Sequence, residues 1–335
     1  MKFLVVGLGS MGKRRIRNLK QLNQKEILGF DLKAERCSES EREYGIKTYN
    51  DIQNALAEKP DAMIISTPPD LHMKYAKIAI DEGIHFFTEA SVVQDEMKEV
   101  IDKLKNSRII GLPSCTMRYH PITLKVHDFL KNNFIGKPLA FLYHSGQYLP
   151  DWHPWEDYRK FYASKRKTGA CREIVPFELI WLLDIFGDLE SIMALKSKIS
   201  NLEADIDDIY NILLNFKNGI QGTLTVDVIA RFPYRQLKIL GEEGVIFADW
   251  SERTVNYFTK ESGWNNNKID DGKIEKDYIH GEGPYVQEMS SFIRTIKGEI
   301  NQPYTFKEDY EILNILNYIE ESSDSGIRQI INVKE

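Results

Sequence analysis

Val5-Val6-Gly7-Leu8-Gly9-Ser10-Met11-Gly12 decides the fold. This G-x-G-x-x-G run follows the apolar segment Lys2–Val6 and opens the helical pattern Met11–Leu22. In that setting Gly7 makes the tight turn, Gly9 lets a pyrophosphate approach the backbone, and Gly12 lets helix and strand touch. The amides of the helix start, Ser10 and Met11 among them, then bind phosphate. A glycine pattern alone is a weak signal. Asp31 strengthens it, because it follows a second apolar strand, Ile27–Phe30, 19 residues past Gly12, close to the ~20-residue spacing of the acid that holds the ribose hydroxyls. A plain glycine turn beside a surface Asp is the competing reading. A carboxylate at 31 repels a 2′-phosphate, so NAD is expected over NADP. Lys33, Arg36 and Arg14 or Arg15 lie close enough in sequence to weaken that preference.

Outward from this motif, short apolar runs alternate with helical patterns: strands at Ala62–Ser66, His85–Thr88 and Ile109–Leu112, helices at Leu71–Asp81 and Asp95–Lys105. Strand-helix-strand alternation predicts a parallel, doubly wound (Rossmann) sheet. The rhythm changes after residue 120. Helices are predicted at Ile122–Lys131 and Glu178–Phe186, with a strand at Leu139–Tyr148 between them. Strand-like runs then follow one another: Ser191–Ser197, Ile209–Phe216, Gln221–Ile229, Gln236–Leu240, Val245–Asp249 and Thr254–Phe258. Asn218-Gly219 and Glu243-Gly244 are hairpin signals. Gly263–Gly283 reads as a loop, and Tyr285–Ile296 and Lys307–Glu321 as helices. The expectation is a Rossmann domain over 1–120 and an α+β domain over 121–335 with an open, mainly antiparallel sheet.

The 335 residues suit two domains. The composition is that of an ordinary globular chain, 42% hydrophobic and 28% charged, which excludes collagen-like, disulfide-scaffold and disordered classes. The formal charge of −6 offers no broad attraction for nucleic acid or anionic lipid. No apolar run approaches the ~20 residues of a membrane span, and Met1–Gly12 does not read as a signal peptide. Cys37, Cys115 and Cys171 are odd in number and far apart, which suggests a reducing cytoplasm. No zinc-type spacing occurs, and Asp205, Asp207 and Asp208 read as turn residues, so no metal is expected.

Further segments resemble the glucose–fructose oxidoreductase / inositol dehydrogenase (Gfo/Idh/MocA) family. Ser66-Thr67-Pro68-Pro69-Asp70-Leu71-His72 is similar to the family's loop after the fourth strand, and Gly83–Glu89 to the strand leading to its Glu-Lys-Pro motif. Met117-Arg118-Tyr119-His120-Pro121 resembles its Asn-Tyr-Arg-Phe-x-Pro segment at the domain junction. The resemblance implies a Rossmann domain plus an α/β domain whose open sheet often pairs subunits. It implies a homodimer or homotetramer, and cofactor contacts from Gly7, Gly9, Ser10, Met11, Gly12, Asp31, Ser66, Thr67, Pro68, His72, Glu89 and Arg118. The chain also departs from the family. Glu89-Ala90-Ser91 stands where relatives carry Glu-Lys-Pro. Relatives carry an Asp and a His, three residues apart, where Ile174 and Phe177 fall here; a slip of one residue would bring Glu173 to the Asp position, and no shift supplies the His.

Two readings follow: the protein binds cofactor and ligand without turnover, or other groups move the proton, with His120, Tyr119 and Glu173 as the candidates, in that order. Substrate contacts are expected from His144, Gln147, Tyr148, Trp152 and His153, in an aromatic segment that ends Trp155-Glu156-Asp157-Tyr158. Lys165, Arg172 and Glu178 are the remaining candidates. Each has a plain structural alternative: Trp152 and Trp155 as loop anchors, His144 facing away from the pocket, Lys165–Lys167 as a solvated turn, Arg172–Glu173 as an ion pair, and Glu178 as a buried hydrogen-bonded carboxylate. Three functions remain open. The first is an NAD-dependent oxidoreductase of a hydroxyl or keto group on a sugar or sugar derivative, with a lean towards surface-polysaccharide precursors. The second is an enzyme that retains NAD for transient oxidation, as an epimerase or lyase. The third is a non-catalytic cofactor- and sugar-binding regulatory protein.

Overall fold

The computed structural model describes residues 1–154, 156–275 and 281–331. The chain divides into two compact units, Met1–Thr116 with Glu282–Glu311, and Met117–Gly281 with Ile312–Glu335.

The first unit runs β1 (Lys2–Val6), α1 (Ser10–Gln21), β2 (Glu26–Phe30), α2 (Ala34–Tyr44), β3 (Lys47–Tyr49), α3 (Ile52–Leu56), β4 (Ala62–Ile65), α4 (His72–Asp81), β5 (His85–Thr88), α5 (Met97–Lys105) and β6 (Gly111–Pro113). Its six strands are ordered β3-β2-β1-β4-β5-β6, and every neighbouring pair is parallel. The order reverses between β1 and β4, the switch point at which doubly wound sheets bind ligands beyond their strand ends. The strands are nearly continuous apolar runs because both sheet faces are covered. α2, β3 and α3 were not expected from the sequence. β3 is a three-residue edge strand and α3 spans five residues, too short for a periodic pattern to show.

The second unit contains α6 (Pro121–Lys131), β7 (Pro138–Gly146), α7 (Cys171–Phe186), β8 (Leu189–Ser197), β9 (Ile209–Phe216), β10 (Gln221–Asp227), β11 (Tyr234–Gly241), β12 (Gly244–Asp249), β13 (Thr254–Thr259) and β14 (Gly263–Asn265). The chain then gives α8 (Gly283–Ile296) to the first unit, and α9 (Phe306–Ser325) and β15 (Gln329–Ile330) close it. The sheet has nine strands, ordered β14-β13-β12-β11-β7-β10-β9-β8-β15. Among the described residues, only the β7–β10 pair of this sheet's strands is parallel. Alternation along the strands buries Phe141, Tyr143, Ile212, Leu214, Leu224 and Val226, while Leu142, Met193, Leu195 and Leu213 stay exposed on the opposite face.

Two boundaries differ from the sequence reading. The split is not at residue 120, because α8 returns Met289, Phe292 and Ile293 to a core containing Phe3, Val5, Ile16, Phe87 and Leu112. α7 begins seven residues before the predicted Glu178. Pro176 lies inside it and removes one backbone donor, but burial of Ile174, Val175, Leu179 and Ile180 holds the helix through that position. No helix among the described residues is long and apolar enough to cross a membrane.

Candidate functional site

In the first unit Gly7 ends β1 with φ of +91°, a region costly for any residue with a Cβ. Its amide donates to Phe30 O (2.8 Å), and a Cβ there would stand 2.6 Å from Ser66 O. A Cβ on Gly12 would stand 1.8 Å from Gly7 O. The Lys13 amide donates to Gly9 O (3.0 Å), so helix geometry aims the amides of Ser10, Met11 and Gly12 out of the start of α1. This is a cradle that only glycines leave open, and it fits a dinucleotide pyrophosphate.

Asp31 is buried just past β2. Its Oδ2 accepts the Leu8 amide and its Oδ1 the Lys33 amide, both at 2.8 Å. The carboxylate is thereby fixed where a ribose would lie. Arg36 Nη1 is 3.6 Å from Asp31 Oδ2 and 3.5 Å from where a Gly9 Cβ would sit. Arg14 instead pairs with Glu282 (3.0 Å) and lies over the Tyr285 ring, and Arg15 is sealed inside by Glu89 and Glu288. Of the cations weighed against the NAD preference, Arg36 places its guanidinium beside the Asp31 carboxylate.

Ser66 and Thr67 follow β4 against Gly7, with Pro68 leading a short 3-10 turn. His72 is buried, and burial lowers its proton affinity. Its neutral Nε2–H donates to Thr67 O (2.9 Å). Expected as a cofactor ligand, it holds the loop instead. Glu89, also expected to meet cofactor, makes a two-pronged pair with Arg15 (2.8 and 2.7 Å) and accepts the Ser66 hydroxyl (2.9 Å). Arg118 belongs to the second unit. It points to Ile180 O (3.4 Å) and to Asp184 (3.4 Å) on α7, contacts that brace that helix.

In the second unit the proton-transfer candidates change order. His120 caps α6, its Nδ1 accepting the Ile122 amide (3.2 Å). Burial, with Arg235 and Arg253 nearby, pushes its pKa down to about 3. The ring is neutral at physiological pH and does not titrate there, contrary to the reason for choosing it. Tyr119 ends the 3-10 turn Thr116–Tyr119 and is half-buried. Glu173 lies in the first turn of α7, where burial raises its pKa to about 7. Tyr162, which the sequence reading did not single out, donates its hydroxyl to Glu173 Oε1 (2.9 Å). Oε2 is buried with no hydrogen-bond partner among the described residues. The residue that caps this turn, Ala170, is fully buried with φ of +55°, a strained conformation of the kind that clusters at functional sites.

Glu178 is 0% exposed. It accepts Tyr143 OH, Trp181 Nε1 and Arg235 Nε, each at 2.8 Å. It is a satisfied core carboxylate, so the substrate role expected of it is withdrawn. Arg172 is bound to Glu320 (2.8 Å) and Lys167 O (3.0 Å). Arg166 pairs with Asp205 and Asp207, and Lys165 is exposed beside Asp205. The basic stretch is thus largely neutralised and makes no anion clamp. Asp208 accepts the Ile199 and Ser200 amides, a turn role.

His144 projects from the sheet face that carries Leu142, with Nε2 2.6 Å from Asp227 Oδ2 and Tyr234 OH 3.0 Å from the ring. Asp227 and Tyr234 gave no sequence signal, since strand register alone brings them to His144. The Gln147 amide donates to Asp227 O (3.2 Å), and Arg231 lies 3.8 Å over the Tyr148 ring. Trp152 follows the 3-10 turn Leu149–Asp151 and is half-buried. His153 pairs with Glu156 (3.1 Å). Trp155 lies outside the described residues. Among the described residues no group of three or more His, Cys, Asp or Glu is placed to hold a metal.

Comparison with known proteins agrees with the fold. Residues 1–110 match the oxidoreductase family model for an NAD-binding Rossmann fold, and residues 123–247 match the GFO/IDH/MocA C-terminal domain. Oxidoreductase P35 of Formosa agariphila is 25% identical over 61% of this chain, and the match spans 63% of that protein. UDP-N-acetylglucosamine 3-dehydrogenase of Acidithiobacillus ferrooxidans is 21% identical over 78% of each chain. A levoglucosan dehydrogenase solved with NADH and L-sorbose shares the fold, with a TM-score of 0.85, 18% identity and 99% coverage of both chains. The chain belongs to the GFO/IDH/MocA oxidoreductase family and carries that family's NAD-binding Rossmann domain.

Proposed function

We propose that this oxidoreductase interconverts a hydroxyl and a keto group on a sugar or sugar derivative, with Glu173 as its proton-transfer group. The setting of Glu173 carries the reading: a carboxyl held near neutral pKa at the head of α7, one oxygen held by Tyr162 and the other with no partner among the described residues. A carbinol that loses hydride must also lose its hydroxyl proton, and a base with pKa close to ambient pH both takes and returns it. Bound NAD supplies hydride acceptance. The residues of the first unit bind and orient it: the Gly7–Gly12 cradle at the pyrophosphate, Asp31 at the ribose. Gln147, Tyr148, Trp152 and His153 supply flat and hydrogen-bonding surface of the kind sugars use. A nucleotide-linked sugar is the favoured substrate class, supported by the name of the Acidithiobacillus relative.

Leu142, Met193, Leu195, Leu213, Phe258 and Trp264 are all exposed and apolar on the nine-stranded sheet. They support assembly into a homodimer or homotetramer through that sheet. The three cysteines are buried and unlinked, which supports a cytoplasmic setting.

The test is incubation with NAD and a panel of sugars and nucleotide sugars, following NADH absorbance and product mass together. Net NADH with an oxidised product supports the proposal. A new product without net NADH favours a retained-cofactor epimerase or lyase, and cofactor binding with no product favours a binding protein. The last outcome would fit Ala90 and Phe177 standing where relatives carry Lys and His.

A further inference from the structure

Arg15 lies one turn into α1 and is 0% exposed. A guanidinium in that position must be paired on every side. Besides its two bonds to Glu89, Arg15 Nη2 donates to Glu288 Oε2 on α8 (2.8 Å), and its plane lies over the Phe87 ring. The partners extend the network. Glu288 accepts Ser114 Oγ (2.9 Å), the Cys115 amide (2.7 Å) and Thr116 Oγ1 (2.8 Å). Glu89 accepts Ser66 Oγ (2.9 Å).

These contacts select one side of the sheet. Ser66 follows β4, Glu89 follows β5, and Ser114–Thr116 follow β6. All three strand ends are tied to α1 through one cation. In a doubly wound sheet the half containing β1 and β2 takes the adenosine end, here marked by Asp31, and the half beginning at β4 takes the other mononucleotide. Ala90 directly follows the clamped Glu89.

We propose that Arg15, with Glu89 and Glu288, is a positioning network for the nicotinamide ring of the cofactor. It sets the Ser66–Thr67 loop and the segment beginning at Ala90, on the β4–β6 side of the sheet. The inference rests on the NAD-binding assignment and goes beyond it by naming what positions the nicotinamide ring.

The experiment compares the affinity of the full chain for NADH and for ADP-ribose, which has no nicotinamide, in wild type, Glu89→Gln and Ser66→Ala. Glu89→Gln should weaken NADH binding roughly tenfold or more while ADP-ribose stays within about twofold. Ser66→Ala, which leaves the Arg15 pairs in place, should shift the same ratio in the same direction by less, and it carries the test if Glu89→Gln does not fold. Equal weakening of both ligands, as a general loss of structure would give, overturns the proposal, and so does an unchanged ratio. Failure of the wild type to bind ADP-ribose would instead contradict the dinucleotide site itself.

Discussion

Replacing Glu173 by Gln tests the proton-transfer assignment through stability as well as rate. Burial raises this carboxyl from 4.5 to about 7. A group whose pKa is raised on folding contributes stability that is complete below its unfolded pKa and is lost as pH rises through the folded one. At about 1.4 kcal/mol per pH unit the change is worth about 3 kcal/mol at most, reduced by whatever solvent reaches the carboxyl. Gln has nearly the same shape, can still accept the Tyr162 hydroxyl, and does not titrate. Urea unfolding at a series of pH values from acid to mildly alkaline should therefore show wild type losing stability against Glu173→Gln between about pH 4.5 and 7. The difference should stay constant above that window. The pH–rate profile of the wild type should have a limb near neutrality that disappears in the variant, with turnover reduced by about 10²-fold or more. Parallel stability curves would show that the carboxyl is not perturbed. A rate limb unchanged in the variant would remove Glu173 from the chemistry.

Gly12→Ala places a Cβ 1.8 Å from Gly7 O. It should abolish measurable NADH binding in a fluorescence titration, whereas a chain that bound NADH normally would refute the cradle. Arg36→Ala should weaken NADP more than NAD, because the guanidinium offsets the Asp31 carboxylate; an equal effect in calorimetry on both cofactors would place Arg36 outside the ribose pocket. Glu178→Ala strips the carboxylate from Arg235, Tyr143 and Trp181. It should cost about 3–5 kcal/mol in chemical denaturation, and a loss under about 1 kcal/mol would contradict a buried hub.

Much of the first unit was legible in the sequence because its information is local. G-x-G-x-x-G, the spacing to Asp31 and the apolar runs each announce themselves within a few residues, and the parallel order follows from them. The second sheet was legible as a series of strands, but its one parallel pair, β7 with β10, depends on long-range register. The site residues were read less well, for the same reason. His120 is chemically suited to proton transfer near neutral pH, and only its burial beside Arg235 and Arg253 disqualifies it. For Glu178 the sequence left a substrate role and a buried hydrogen-bonded carboxylate both open, and its three donors decide for the second. Glu173 rose in rank through a partner eleven residues away, Tyr162, and Arg15 gained its meaning from Glu288, 273 residues on. Composition and spacing carry no signal for such meetings.

The central claim is hydride transfer between NAD and a sugar carbon. Its most direct measurement is to incubate the protein with NADH deuterated at the reactive nicotinamide carbon and a panel of keto sugars and nucleotide-linked keto sugars, then read the products by mass spectrometry. Hydride transfer predicts one deuterium on the reduced carbon of at least one product. Products reduced without deuterium, or tight NADH binding with no reduced product anywhere in the panel, would contradict it.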